Sequence, residues 1–279
     1  NVLNLRHLAH LLGTDRPFYG LQARGLYGDQ APHDTFEDMA RDYIKELRTI
    51  QPHGPYLLGG FSGGGITAYE MAQQLLAEGE ETALLVMLDS NLPGGPVMTR
   101  ADKLRVHAQR LRRKGPRYLY DAVENHLRWR REQAAARAGQ GDAGQKPYEL
   151  QNAAIEAAFR TAFARYRPKP YPGKIELFRP RLDKAYDLGN GRVLDHNLQF
   201  VFHDNGWGQH VPAIDVHEVP GTHDSMVLEP NVRVMAARLR ACIVAAENGI
   251  ATSGDAEGGR VPAAAAATAS RVREEAAVS

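Results

Sequence analysis

Residues 55–89 read PYLLGGFSGGGITAYEMAQQLLAEGEETALLVMLD. Three textures follow one another in this stretch. An apolar run at 55–61 has strand length, and a glycine cluster surrounds Ser62. The segment ITAYEMAQQLLAEG then has helical spacing and is closed by Gly79, and TALLVMLDS at 82–90 is again a continuous apolar strand. Strand, helix and strand within about 35 residues form a βαβ unit, which implies a parallel sheet with helices on its faces.

The glycine cluster carries a second message. Gly60-Phe61-Ser62-Gly63-Gly64 matches G-x-S-x-G, with a strand before it and a helix after it. That context defines a nucleophile elbow, in which a serine sits on a strained strand-to-helix turn and its hydroxyl stands clear of the sheet. The turn is tight, so side chains at Gly60 and Gly64 are expected to collide with backbone. The helix opening here aims its first N–H groups at the site, and the Gly63 N–H is the expected oxyanion donor.

A serine hydroxyl needs a base, and the base needs an orienting acid. Eleven histidines compete for the base. His223 lies in VPGTHDSMVLEP, a loop between a strand and the last helix, where this fold order places the base. His10 and His107 fall within expected helices; His196, His203, His210 and His217 are nearer rivals. Two aspartates compete for the acid. Asp89 ends the strand LLVMLD directly after the elbow, and Asp183 follows the strand IELFRP. Pattern alone does not separate them, and either could simply cap a turn.

Elsewhere the chain reads as one α/β domain of ordinary composition. Its 279 residues are 43% hydrophobic and 24% charged, with a net charge of +1. That balance gives no global case for nucleic-acid or membrane binding, and no apolar run approaches the roughly 18 residues of a membrane span. The single cysteine, Cys242, excludes an internal disulfide, reads as a packing residue and fits a cytoplasmic setting. No metal-ligand spacing appears, and no cofactor is expected.

Helices are expected at 3–12 (closed by Gly13), after Thr35 with Phe36, Ala40, Tyr43, Ile44, Leu47 and Ile50 on one face, and at 230–247 with Val234, Met235, Leu239, Cys242 and Ile243 inward. Strands are expected at 17–23, 173–180, 197–202 and 213–221, with a polar loop after 180. Residues 93–172 are mostly helical, with a flexible loop at 137–147. Within 93–147 stand 13 Lys/Arg against 5 Asp/Glu. This basic insertion is either a solvated surface or a cover over the site that greets an acidic partner, with Arg112, Arg113, Lys114 and Arg117 among its charges. Residues 251–279 collapse to Ala, Gly, Ser and Glu and read as a linker or disordered tail.

GPYLLGGFSGGGITAYEMAQQLLAEGE, LLVMLDS, PYPGKIELFRP and VPGTHDSMVLEPNV, in that order, resemble the thioesterase domains that terminate modular nonribosomal-peptide and polyketide synthetases. FYGLQARGLYG also fits that family, and the likeness spans about 1–247. The resemblance implies an α/β-hydrolase fold over about 1–250, with a mostly parallel sheet, helices on both faces and a helical lid at about 93–172. It implies Ser62, Asp89 and His223 as nucleophile, acid and base, in the chain-terminating rather than the editing type. Asp183 is the alternative acid. The implied substrate is an acyl or peptidyl chain on the phosphopantetheine of a carrier protein, released by hydrolysis or macrocyclisation. The family begins with a strand and a glycine-containing loop that supplies a second oxyanion donor. NVLNL resembles the stretch after that loop, so the strand is expected to precede the sequence given. Three other readings fit the same residues: a general serine esterase or lipase, a catalytically silent binding module on a hydrolase scaffold, and a docking module built on the basic helices.

Overall fold

The structure is a computed structural model that describes residues 2–26, 30–115 and 147–257. A 3₁₀ turn at Val2–Leu5 leads into α1 (Arg6–Leu12), followed by α2 (Phe36–Ile50), β1 (Tyr56–Phe61), α3 (Gly63–Ala77) and β2 (Thr82–Leu88). Two helices of the insertion come next, α4 (Arg100–Lys114) and α5 (Pro147–Arg165). Then follow β3 (Lys174–Pro180), β4 (Tyr186–Gly189), β5 (Arg192–Leu194), β6 (Ala213–Val219) and α6 (Val232–Glu257). The main sheet has the order β1-β2-β3-β6, and each adjacent pair is parallel.

Alternation along the strands builds a core on each face of this sheet. Leu85 and Met87 of β2, with Ile175 and Leu177 of β3, pack on Phe36, Ala40 and Ile44 of α2 and on Ile66, Tyr69 and Leu75 of α3. Leu84, Val86 and Leu88, with Phe178 and Val219, face the opposite way onto Leu8 and Leu12 of α1 and Met235, Leu239 and Ile243 of α6. Helices therefore cover both faces, as the apolar runs imply. Thr35 caps α2 by accepting the Asp38 N–H at 3.2 Å, and Gly79 takes a φ of 81° beyond the end of α3.

The insertion is anchored twice. α5 lays Ala162 and the partly buried Phe159 and Phe163 on the α2–α3 core, joined by Tyr166 directly after its last residue. The Tyr166 hydroxyl donates to the buried Glu70 of α3 at 2.8 Å. Burial, together with the Glu70 carboxylate, pushes the Tyr166 hydroxyl pKa far up, so it remains a donor. α4 packs Val106 on a separate cluster with Tyr186, Leu188 and Leu194 of the β4–β5 hairpin. Asp102, part of the Thr99 capping box, binds the Arg192 guanidinium through both oxygens at 3.1 and 2.7 Å. Arg105 and Gln109 donate to the Leu188 and Asp187 carbonyls, and Arg110 to the Tyr186 hydroxyl. Arg105 and Arg110 of α4 thus hold the hairpin, and Arg113 lies over the Tyr186 ring at 5.7 Å, although Arg112 and Arg113 are exposed. Arg117, the expected loop at 137–147 up to residue 146, and most of the tail lie outside the described residues, and Pro147 already opens α5.

Several expectations are corrected. Residues 17–23 join no sheet among the described residues; they run as coil, exposed over 17–21, with Tyr19 62% accessible. Residues 197–202 contribute only an isolated bridge, Phe200 to Leu194. The expected polar loop after 180 contains instead the β4–β5 hairpin, signalled by Asn190-Gly191, whose positive φ values of 55° and 72° make its turn. Ile50, at the very end of α2, is exposed, and so is Val234, because the buried stripe of α6 runs through Val232, Met235, Ala236, Leu239 and Ile243 at i, i+3, i+4 spacing. That helix passes through Asn248-Gly249 to Glu257, so the expected break at 250 is not a helix end. A glycine inside a helix costs only about 1 kcal/mol and need not stop it. No helix among the described residues is long and apolar enough to cross a membrane.

Tyr166→Phe leaves a buried Glu70 oxygen without its donor and is expected to cost about 1–3 kcal/mol. Urea unfolding checks this; an unchanged midpoint would mean that α5 is not anchored there.

Candidate active site

Parallel strands end at one edge of the sheet, and the three residues singled out by sequence follow the carboxyl ends of β1, β2 and β6. Ser62 stands between β1 and α3 with φ 55° and ψ −120°. A non-glycine residue in that region costs about 1–3 kcal/mol and persists only where its surroundings enforce it. Here three hydrogen bonds do so. The Ser62 N–H donates to the Leu88 carbonyl at 2.8 Å, and the Ser62 carbonyl accepts the Gly65 N–H at 3.1 Å and the Ser90 hydroxyl at 2.6 Å. Ser90 is 1% exposed, and its own carbonyl accepts the indole N–H of the fully buried Trp207 at 2.8 Å.

The glycines divide differently from the sequence expectation. A Cβ at Gly60 would lie 2.1 Å from the Gly64 carbonyl carbon, so Gly60 is required as expected. A Cβ at Gly64 would meet nothing within 4 Å, which overturns the collision expected there. The tight position is Gly65, whose Cβ would lie 2.0 Å from Ser90 Oγ and 3.1 Å from the Gly60 carbonyl oxygen. Successive residues of α3 turn by about 100°, so Gly64 looks outward while Gly65 faces the strand ends. Gly63 opens α3, and its N–H has no acceptor within the helix. The Phe159 ring of α5 covers this residue, its Cε2 2.1 Å from where a Gly63 Cβ would stand.

Asp89 also has a positive φ, 47°, and its N–H donates to the Phe178 carbonyl at 2.7 Å. Its carboxylate is held at both oxygens. Oδ2 accepts from Nδ1 of His223 at 2.8 Å, and Oδ1 accepts from Nδ2 of Asn205 at 3.1 Å. That partner fixes the proton of neutral His223 on Nδ1 and leaves Nε2 basic. Phe61, the residue before Ser62, stacks on the imidazole with ring centroids 4.9 Å apart. The Asp89 hydrogen bond raises the His223 pKa; partial burial opposes the shift and the Asp89 charge adds to it.

Asp183, the alternative acid, is not the aspartate bonded to His223. Its Oδ2 bonds Nδ1 of His196 at 2.5 Å on an exposed surface. His217 is likewise engaged elsewhere, with Glu176. The sequence reading missed Asn205, Ser90 and Phe159. Asn205 lies in the turn-rich DNGWG, and nothing local reveals an acceptor 116 residues away.

A family model described as "Thioesterase domain" matches residues 5–235. The chain is 56% identical over 79 residues to a dimodular nonribosomal peptide synthase of Bacillus subtilis (strain 168), covering 28% of this chain and 3% of that protein. It is 51% identical over 77 residues to the polyketide synthase PksR of the same organism, again 28% and 3%. The chain therefore spans about 3% of the length of these relatives. Among solved structures it resembles a four-domain nonribosomal peptide synthetase bound to AMP and glycine. There the TM-score is 0.57 at 26% identity, over 86% of this chain and 18% of that one. It also resembles the NocB thioesterase domain in covalent complex with a fluorophosphonate nocardicin G analogue (TM-score 0.55, 26% identity, 87% and 90% covered).

Two outcomes are expected. Gly64→Ala folds and melts at or above the parent temperature, whereas Gly60→Ala and Gly65→Ala lose stability; equal melting of all three would refute the assignment of the tight contacts. Asp89→Asn removes the largest cause of the raised His223 pKa, so the NMR titration of His223 shifts to lower pH. An unmoved midpoint would show that the pair is not formed in solution.

Proposed function

Since the chain belongs to the thioesterase-domain family, we propose that it releases an acyl or peptidyl chain from the phosphopantetheine thiol of a carrier protein through an ester on Ser62. The observation that carries this reading is the serine at a forced positive φ directly after Phe61, whose ring stacks on the imidazole bonded to Asp89. His223 Nε2 takes the hydroxyl proton as Ser62 Oγ attacks the thioester carbonyl. Asp89 accepts the Nδ1–H and stabilises the cationic ring. The Gly63 N–H, at the positive end of α3, stabilises the tetrahedral oxyanion. When the C–S bond breaks, the imidazolium returns its proton to the departing thiolate.

The second half repeats the first with a new nucleophile. Water yields a free acid, and a hydroxyl or amine of the bound chain yields a ring; either is deprotonated by His223, and Ser62 leaves reprotonated. Asn205 acts through Asp89 as a positioning residue, holding the carboxylate oxygen that His223 does not use. Phe159 gives the acyl chain an apolar wall beside the reacting carbonyl. The exposed Arg112 and Arg113 of α4 supply positive charge for an acidic carrier.

Intact-mass analysis after mixing with an acyl-loaded carrier protein tests this directly. The expected result is an acyl adduct on Ser62, absent in Ser62→Ala, with turnover lowered on the order of 10⁴- to 10⁶-fold in His223→Ala. Rapid cleavage of simple oxyesters with no adduct from the carrier thioester would instead identify a general esterase.

A further inference from the structure

A second group of chemically reactive side chains lies on the α6 face of the sheet, away from the elbow. Lys174, Glu176 and Phe178 alternate onto one face of β3. The parallel register, Glu176 opposite Asp215 and Phe178 opposite His217, brings Asp215 and His217 of β6 to the same face. Cys242 of α6 packs over them. His217 Nε2 lies 2.6 Å from Glu176 Oε2. Cys242 Sγ lies 3.8 Å from each of these two atoms. The three residues are buried or half-buried, and their ligand atoms all lie within 4.8 Å of one another.

We propose that Glu176, His217 and Cys242 form a binding site for a borderline divalent cation of the zinc type. Thiolate, imidazole and carboxylate together favour such ions over magnesium or calcium, which take oxygen ligands. A tetrahedral zinc ion with bonds of about 2.0–2.3 Å places sulfur about 3.5 Å, and nitrogen about 3.3 Å, from a carboxylate oxygen. The two sulfur edges of the triangle already come within a few tenths of an ångström of that value. The nitrogen–oxygen edge must open by less than about 1 Å, as the shared proton gives way to the cation. Binding expels the Cys242 proton to solvent, sends the proton between His217 Nε2 and Glu176 to Nδ1 of the ring or to solvent, and leaves the fourth position to water.

The surroundings fit this use. Phe178 stacks on the His217 ring with centroids 4.5 Å apart and fixes its orientation. Lys174 bonds the other Glu176 oxygen at 2.7 Å and Asp215 at 2.6 Å, so the carboxylate is oriented from outside while Asp215 balances the lysine charge. The bound cation would tie α6 to β3 and β6. The sequence conceals the cluster, because 41 residues separate Glu176 from His217 and 25 separate His217 from Cys242.

Cobalt(II) titration of the intact chain tests the site. The expected result is one equivalent bound, with a near-ultraviolet thiolate-to-cobalt charge-transfer band that zinc abolishes by displacement. Cys242 is the chain's one cysteine, so in the unaltered protein that band has no other source. Cys242→Ser removes the band. His217→Gln weakens binding by at least about tenfold, since a lost ligand should exceed the 10- to 100-fold effect of a lost outer partner. Ser62→Ala changes neither. Absence of the band, or binding unaltered by His217→Gln, would overturn the proposal.

Discussion

The close approach of β1 to the start of α3 is the constraint on which the site depends. With no side chain at Gly60 or Gly65, the two elements meet so tightly that the residue between them is driven to positive φ. Ser90 completes the lock from β2's end by donating to the Ser62 carbonyl, and Trp207 secures Ser90 in turn. A conformational cost of about 1–3 kcal/mol at Ser62 is thus borne by buried hydrogen bonds that have no other evident role. The strain presents a hydroxyl at the sheet edge where Asp89 and His223 already meet.

The same edge gathers parts from distant stretches of chain. Asp89 continues β2, His223 follows β6, and Asn205 comes from the loop before a 3₁₀ turn at Trp207–Gln209. Each takes its place from a strand end or a buried bond, so the geometry is set before any substrate arrives. The insertion contributes in two separate ways. α5 closes over Gly63 with Phe159 and is pinned through Tyr166, whereas α4 belongs with the β4–β5 hairpin and shares its small core.

How far the sequence discloses all this depends on the range of the interaction. Local signals carried well: apolar runs gave β1, β2, β3 and β6, the Thr35 cap gave the start of α2, and G-x-S-x-G gave the elbow. Asp89 and Asp183 were equivalent by pattern, and only the family resemblance preferred Asp89; the structure separates them by their histidine partners. The motif does not distinguish Gly64 from Gly65, because it records spacing but not the direction of a helical Cβ. Segment 17–23 has the apolar and aromatic content of a strand but pairs with no strand among the described residues. Asn205, Ser90 and the Glu176–His217–Cys242 group depend on tertiary contacts that no window of sequence contains.

The central claim is that one hydroxyl is activated by an imidazole whose basicity Asp89 sets. The most direct measurement is the pH dependence of covalent labelling of the chain by a fluorophosphonate, with the modified residue located by peptide mass. The account predicts labelling at Ser62, with a rate that falls as pH drops through a single inflection raised above the ordinary histidine value, and an inflection at lower pH in Asp89→Asn. Labelling at another residue, or a rate that rises smoothly with hydroxide in both proteins, would contradict it.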